Sequence, residues 1–392
     1  MNEINSKKGI FALTVSHCAG MLDAIALPIW IGVLMTVYAF GPQQSGLLVT
    51  LFLLAVTISS VFFSTKFKKF KPKKFVFLGF MIASITFFTC TFTSSFEFLA
   101  ILHIVGGLAT GMSLSLAHGT MGRSNNPHRM FGIAGIAMGV FGLAFMVGAL
   151  PLIQTWGGEK LFIFLSVIML IASIITFFLF PQTQSNAVGS EYNNNPIQKT
   201  KLSATIWFVI AGVVCLTIIQ SMTFSFYERI GIAEGFGQKA VGIALISYGL
   251  LALLPAPLAT LLQYRLKATT VICIAPILQA ISVMFISQSH SYIMYVICGC
   301  VMIMVLIFTH TFIFGLLAKL DPSGRATAAT PAMLMLGSAI GPLLGGTIIK
   351  FQGFEALGYA AIVIGIVQFL LFSRARSLIV TDGTDIQTLR SS

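Results

Sequence analysis

Charged residues are scarce in this sequence. They occupy only 9% of its 392 positions, whereas hydrophobic residues occupy 57%, and the mean hydropathy is +0.95. A water-soluble domain has roughly a quarter of its residues charged. The shortage excludes a soluble globular protein, because most of the outer surface must face a solvent other than water, and lipid is the solvent that fits.

Acidic residues are the rarer of the charged types, with 11 Asp and Glu against 23 Lys and Arg, which gives a net charge of +12. The basic residues lie in short gaps between apolar runs, as membrane topology requires. This distribution excludes a nucleic-acid partner. The six cysteines all lie inside apolar runs, and Cys298-Gly299-Cys300 lacks the companion ligands of a metal site. We expect neither a metal nor another cofactor.

Apolar runs of about twenty residues, each long enough to cross ~30 Å of hydrocarbon, occur twelve times. The first is too long for the apolar core of a signal peptide, so we expect it to be retained as span one. The predicted spans are residues 10–35, 44–65, 75–94, 97–119, 130–153, 161–181, 204–226, 240–262, 270–288, 291–318, 327–349 and 356–373.

One long polar segment, between residues 182 and 203, divides these spans six and six. Its composition is typical of a flexible linker. The predicted domains are an N-terminal six-helix half (1–181), a cytoplasmic linker (182–203), a C-terminal six-helix half (204–373) and a cytoplasmic tail (374–392).

The lysines and arginines are distributed unequally across the predicted membrane. With the N-terminus inside, the cytoplasmic side receives nineteen of the 23, and the outer side receives only Lys160, Arg229, Lys239 and Lys350. The positive-inside rule therefore predicts that both termini are cytoplasmic. We expect a multi-pass, monomeric protein of a bacterial-type inner membrane.

The two halves also repeat one another at a fixed distance. Three residues of the first half recur 196 positions later: Arg129, Gly157 and Glu159 correspond to Arg325, Gly353 and Glu355. Two parallel halves imply a binding site at the membrane midplane, between the halves and exposed to each side in turn.

The six-plus-six spans, the central linker and the basic loops after spans two and eight resemble the major facilitator superfamily over nearly the whole chain. The most specific match is G-x-x-x-G-P-x-x-G-G in span eleven, which resembles an antiporter motif that the family carries in span five. Its residues are Gly337, Gly341, Pro342, Gly345 and Gly346. Small residues four apart let two helices approach closely, and proline loosens the backbone where helices rock. Plain helix packing is the alternative interpretation.

The resemblance implies an all-α membrane protein of two pseudo-symmetric six-helix bundles that works by alternating access. Two family motifs differ here. The loop KFKKFKPKKF (66–75) has no acid where the family has an Asp, and His103 of span four stands where the family has a buried Arg. These departures argue against assigning the mechanism of a particular subfamily.

Asp23 is the one acid that the predicted spans place at membrane depth, some fourteen residues into span one. An ionised carboxylate there costs several kcal/mol, so we expect it to face the bundle interior and to bind a proton readily. It is predicted to be the principal site of proton coupling. Ser16, Asp23 and Trp30 are seven residues apart and predict one polar stripe on the helix. A structural hydrogen bond to a neighbouring helix is the alternative role for Asp23.

The second half places Gln220, Thr223 and Tyr227 on one face of span seven, with Gln220 almost at the position equivalent to Asp23. We interpret them as the other side of a substrate cavity; isolated helix contacts are the alternative. Among the histidines, His103 is expected to tune proton coupling, His17 and His310 are substrate-binding candidates, and His118 is expected at the interface.

The predicted spans contain no Lys or Arg, and Arg229 lies just beyond the outer end of span seven. A cavity that selects anions usually supplies a fixed cation. We therefore predict proton-coupled transport of a small neutral, zwitterionic or cationic organic solute, with export favoured over uptake. The spans lack a nucleophile–base pair or paired carboxylates, which argues against an enzyme, and two equivalent halves favour rocking over a fixed channel.

Overall fold

The computed structural model describes residues 3–182, 202–321, 326 and 330–381. Within these residues all regular secondary structure is helical. The helices are α1 (Lys7–Gly20), α2 (Asp23–Thr36), α3 (Pro42–Thr65), α4 (Pro72–Cys90), α5 (Phe96–Met121), α6 (Pro127–Trp156), α7 (Lys160–Leu179), α8 (Ala204–Ala233), α9 (Gln238–Leu251), α10 (Pro255–Leu262), α11 (Ala268–Gln288), α12 (Tyr292–Leu320), α13 (Thr330–Gln352) and α14 (Ala356–Thr381).

Twelve helical segments of the described chain are long and apolar enough to cross a membrane, which confirms the predicted all-α fold of twelve spans. Span one consists of α1 and α2, span eight of α9 and α10, and each other span of one helix. Spans seven and twelve run further than predicted, to Ala233 and Thr381. The predicted tail at 374 therefore begins inside α14. Most of the predicted linker (183–201) and the end of the tail (382–392) lie outside the described residues.

Local structure repeats at the same 196-residue distance as the sequence. Ser95 and Ser291 cap α5 and α12, and each hydroxyl accepts a backbone N–H three residues further on. Gly157 and Gly353 follow α6 and α13 with φ angles of 98° and 80°, a left-handed conformation in which a residue with a Cβ is strained. Arg325, the counterpart of Arg129, lies outside the described residues.

Two of the twelve spans are interrupted. In span one, α1 ends at Gly20 and α2 begins at Asp23, with a two-residue turn between them. In span eight, α9 ends at Leu251 and α10 begins at Pro255. Proline has no backbone N–H and is favoured in the first turn of a helix, so it starts a new helix more readily than it continues an old one. Neither interruption was predicted from the length of the apolar runs.

The described helices belong to two compact units. Unit 1 comprises Met1–Ser190, Phe224–Arg229 and Pro342–Thr347, and unit 2 comprises Glu191–Thr223, Ile230–Gly341 and Ile348–Ser392.

In unit 1 the closest packing joins α3, α4, α5 and α7. Gly107 and Gly111 of α5 lie against the backbone carbonyls of Phe52 and Val56 in α3, so a Cβ at either glycine would clash. In unit 2, α11 packs against α12 and α14, and Gly358 lies against α11 in the same way. Small residues thus bring the helices close together, as is common in membrane bundles.

Candidate functional site

Asp23 lies at the interruption of span one, as the first residue of α2. Its side chain is half-buried, and no described lysine, arginine or histidine forms an ion pair with it. The unbonded N–H groups of a helix N-terminus carry a partial positive charge that stabilises a nearby carboxylate. Asp23 is therefore held by backbone dipoles and has no fixed cation among the described residues.

The predicted polar stripe of Ser16, Asp23 and Trp30 does not form on one helix. The turn after Gly20 separates Ser16 in α1 from the other two residues in α2. Ser16 is fully buried, and its hydroxyl donates a hydrogen bond to the carbonyl of Ala12, 2.7 Å away. The seven-residue spacing predicted a shared face only for an unbroken helix, and this part of the prediction was wrong.

Trp30 lies inside an aromatic cluster of unit 1 and is only 1% exposed. The centroid of its ring is 5.1 Å from that of Phe52 and 5.3 Å from those of Phe87 and His103. Phe162 completes the cluster at 6.1 Å. These edge-on and tilted contacts are typical of aromatic packing in a protein core, so the geometry indicates a packing role for Trp30.

His103 lies in the same cluster and is also 1% exposed. Its Nδ1 is 2.7 Å from the carbonyl oxygen of Leu99. Because a carbonyl can only accept, Nδ1 carries the hydrogen. Nε2 is buried and has no hydrogen-bond partner among the described residues. The ring therefore has one nitrogen available to take a proton.

His17 and His118 form a pair that the sequence did not reveal. Nδ1 of His17 in α1 is 2.8 Å from Nε2 of His118 in α5, and the ring centroids are 5.1 Å apart. One nitrogen must accept this hydrogen bond, so at most one of the two rings is protonated while it lasts. The prediction placed His118 at the interface without a partner. The contact could not be predicted, because the two residues are 101 positions apart in the sequence.

In span seven, Gln220 and Thr223 are buried. The side-chain N–H of Gln220 donates to the hydroxyl of Tyr248 in α9, while its oxygen has no partner among the described residues. The hydroxyl of Thr223 likewise has no described partner. Tyr227, on the same helix, is fully buried. The prediction that these residues contact substrate is not tested by this geometry.

Glu228 and Arg229 lie inside α8. The prediction ended span seven at residue 226 and so treated Asp23 as the only acid at membrane depth; both parts are corrected. Both side chains are half-buried. Glu228 Oε2 and Arg229 Nε have no hydrogen-bond partner among the described residues. Within unit 1, the Glu228 carboxylate lies against Gly32 of α2, in the space that a Cβ there would occupy. Hydropathy ended the span just before the first charge, whereas the helix continues to Ala233.

His310 lies in α12 of unit 2 and is half-buried. Its ring centroid is 4.1 Å from that of Phe314, and its Nε2 has no partner among the described residues. The structure therefore places His310 against an aromatic ring, and leaves its predicted role in substrate binding untested. In the described part of the chain, no three His, Cys, Asp or Glu side chains come together as a metal site.

The glycine motif of span eleven packs closely in both units. In unit 2, Gly337 and Gly341 lie against α8, in contact with Thr217 and Ser221. In unit 1, the carbonyl of Pro342 lies against Gly46 of α3, and Gly346 lies against Pro42 at the start of that helix. Gly345 is buried. Close packing is thus observed, and a role in conformational change stays a prediction.

The family of the chain is shown by a match to a family model over most of its sequence. A family model described as the Major Facilitator Superfamily matches residues 12–333. No curated protein matches the sequence.

Solved structures share the fold over almost the whole chain. The nucleoside transporter NupG has a TM-score of 0.73 and 13% identity and covers 94% of this chain and 99% of its own. A bacterial homolog of the human lysosomal transporter Spinster has a TM-score of 0.73 and 14% identity, covering 96% and 99%. The peptide transporter POT, in complex with alafosfalin, has a TM-score of 0.72 and 11% identity, covering 95% of each chain. The chain therefore belongs to the Major Facilitator Superfamily, and it is a transporter rather than an enzyme.

Proposed function

We propose that this transporter couples proton movement to the export of a small neutral, zwitterionic or cationic organic solute. The observation that carries the proposal is the position of Asp23 at the interruption of span one, half-buried and with no ion-pair partner among the described residues. In other transporters, interrupted helices form substrate and ion sites because they expose backbone dipoles inside the membrane. A carboxylate there can exchange a proton for the positive end of a solute.

The charge of the buried groups supports a cationic or zwitterionic solute. Asp23 and Glu228 are the half-buried acids of spans one and seven, and Arg229, which is also half-buried, is adjacent to Glu228 alone. Two acids and one base leave a net negative charge when all are ionised. An anion entering this environment would lose hydration without an adequate partner.

The residues predicted for the cavity would contact the polar groups of the solute, and its apolar portion would lie on Tyr227 or Trp30. Gln220, Thr223 and Tyr227 of span seven and His310 of span ten are the candidates in the second half, and His17 and Trp30 are those in the first. The similar structures include a nucleoside transporter and a peptide transporter. Both names support a small organic solute with polar groups.

Export is favoured by the antiporter-like glycines of span eleven. Their close packing against α8 and α3 suits helices that slide or rock with little side-chain rearrangement. The alternative is uptake by symport, in which Asp23 binds the proton together with the solute. The loop charges further support a plasma-membrane protein with both termini in the cytoplasm.

The test is solute-dependent proton flux in proteoliposomes. Purified protein is reconstituted with a pH-sensitive dye inside, pH gradients are imposed in both directions, and a panel of organic cations, zwitterions, neutral solutes and anions is screened. Asp23→Asn should abolish gradient-driven transport while leaving the protein folded. The matched control is Glu97→Gln, because Glu97 is an exposed carboxylate in the first turn of α5 and should transport normally.

Two results would contradict the proposal. Undiminished gradient-driven transport by Asp23→Asn would remove Asp23 from coupling. Tightest binding by multivalent anions would overturn the charge preference, and repeating the screen with Gln at His17, His103 and His310 would identify the histidine that supplies the positive charge.

A further inference from the structure

An apolar groove runs along the outside of unit 1 between α3, α4 and α5. Its volume is about 380 Å³, within the usual range of roughly 300–1,000 Å³ for small-molecule sites. The groove is lined almost entirely by hydrophobic side chains, including Ile58, Phe62, Ile82, Val105, Leu108 and Met112.

The groove is open to the membrane. Ile58 is 64% exposed, and Phe62, Ile82 and Leu108 are each about two-fifths exposed. Phe62 lies three residues from the end of α3, whereas Ile82 lies ten residues into α4. At 1.5 Å per residue, the groove extends from the membrane surface to a depth of roughly 15 Å. An extended apolar chain that enters from the surface fits this shape.

The basic loop after span two lies at the mouth of this groove. Residues 66–75 contain six lysines and no acid. Nζ of Lys66 lies 4.1 Å from the ring centroid of Phe62. Phe62 therefore lines the groove and also contacts a cation at the mouth of the groove. Phe63, which also lines the groove, contacts Phe70 of the loop with ring centroids 4.7 Å apart.

Within the described residues, the positive charges at this mouth have no acidic partner. Lys66, Lys69, Lys71 and Lys74 are exposed, and no described acid forms an ion pair with them. Arg123, at the end of span four, adds a guanidinium 3.8 Å from the ring centroid of Phe67. Orienting the chain in the membrane requires only that the loop be positively charged. Here the cations also lie next to an apolar groove that reaches into the membrane.

We propose that the groove and the loop together bind one anionic phospholipid. One acyl chain lies along Ile58, Val105 and Leu108, and the phosphate and anionic headgroup contact Lys66 and its neighbours. Clusters of basic residues next to a membrane span attract anionic headgroups, and the apolar groove adds a place for the chain. The site is separate from the transport residues, so it stands or fails independently of the proposed function.

The experiment measures lipid retention by the purified full-length protein in detergent, using native mass spectrometry. The protein is titrated with dioleoyl phosphatidylglycerol or with dioleoyl phosphatidylcholine. The wild type should retain one phosphatidylglycerol with at least about tenfold preference over phosphatidylcholine, because each basic residue near an anionic group adds several-fold to the affinity.

Two variants separate the parts of the site. Replacing Lys66, Lys69, Lys71 and Lys74 with Gln should abolish the headgroup preference, whereas replacing Lys7, Lys8, Lys267 and Lys319 with Gln should leave it unchanged. Val105→Trp, which fills the groove, should reduce retention of both lipids by at least about fivefold, because the acyl chain loses apolar burial. Ile281→Trp, at a residue of α11 that is 50% exposed, is its matched control.

The proposal is overturned if the wild type shows no headgroup preference, or if the preference survives the four loop changes. Retention that is unchanged in Val105→Trp would also overturn it, since the acyl chain would then lie elsewhere. Should the loop variant fail to insert, the corresponding Lys→Arg variant must keep the preference, and Val105→Trp still decides the question.

Discussion

Span one and span seven occupy equivalent positions in the two halves but differ in how they hold their buried polar groups. Span one is interrupted, and its carboxylate, Asp23, begins the second helical piece. Span seven is one continuous helix, α8, and its nearly equivalent residue Gln220 donates to Tyr248. A neutral amide with a fixed partner stabilises a bundle, whereas a carboxylate without an ion-pair partner can exchange protons. Under the proposed function, span one would carry the coupling group, and the equivalent part of span seven would stabilise the bundle.

A second difference lies nearer the other end of the same helices. Gly32 and Glu228 are 196 residues apart, so they are equivalent positions, and they contact each other within unit 1. One half has no side chain where the other has a carboxylate. The glycine provides the space that the acid occupies, which explains why the two residues differ.

The largest effect on stability is expected at Trp30, whose equivalent in span seven is Phe226. Both side chains are fully buried. Trp30→Ala should lower the free energy of unfolding by about 3–5 kcal/mol, the usual cost of emptying a large aromatic site, measured by denaturation in detergent. Phe226→Ala should cost a similar amount.

Trp30→Phe distinguishes packing from substrate binding. It keeps most of the buried aromatic surface, and the indole N–H that it removes has no partner among the described residues. We expect little change in unfolding or in solute affinity. A loss of affinity at unchanged stability would instead support the predicted contact between Trp30 and substrate.

Glu228→Gln is expected to have the next largest effect. If Glu228 and Asp23 share the coupled proton, replacing Glu228 should make solute affinity less dependent on pH. The ratio between the affinities at high and low pH should fall by at least about fivefold, the lower end of typical coupling between two sites. Solute affinity measured across pH in detergent checks this. Glu355→Gln is the control, because Glu355 is exposed and immediately precedes α14. An unchanged pH dependence would restrict coupling to span one.

Gly32→Ala should have a smaller effect, because the new methyl group displaces only the flexible end of Glu228. Holding that side chain off its preferred rotamer costs about 0.5–1.5 kcal/mol, and transport should fall accordingly. Combining Gly32→Ala with Glu228→Ala should relieve the crowding. If Gly32→Ala alone transports normally, the glycine is not needed to make room for the acid.

His103→Gln is expected to have the smallest effect on affinity. The ring is enclosed by aromatic side chains of unit 1, so a substrate contact is not expected, but Nε2 can take a proton. The variant should shift the pH profile of transport and leave solute affinity nearly unchanged. A large loss of affinity with an unaltered pH profile would reverse this role.

Much of the fold could be predicted from the sequence, because membrane spans are set by local composition. The twelve spans and the repeated glycines at 157 and 353 follow from apolar runs and a constant offset. The turn after Gly20 could not be predicted, since Met21 and Leu22 are apolar and continue the run. The true end of span seven was missed because hydropathy stops at Glu228 and Arg229.

The candidate site was predicted less well, because its contacts join distant parts of the chain. Asp23 was singled out because an acid inside an apolar run is a strong local signal, and its role in coupling stays a prediction. The His17–His118 pair and the contact between Gly32 and Glu228 depend on helix packing, which neither composition nor spacing reveals. The same packing places Trp30 in an aromatic cluster, and its predicted contact with substrate stays untested.

The most direct test of the account is the number of protons released when a solute binds. Calorimetry of the tightest organic cation from the screen, repeated in buffers of different ionisation enthalpy, measures that number. If the cation displaces the proton of Asp23, the wild type should release about one proton per ligand at a pH where Asp23 is protonated, and affinity should rise with pH. Asp23→Asn should release none and bind independently of pH. Equal proton release by the wild type and Asp23→Asn would contradict the account.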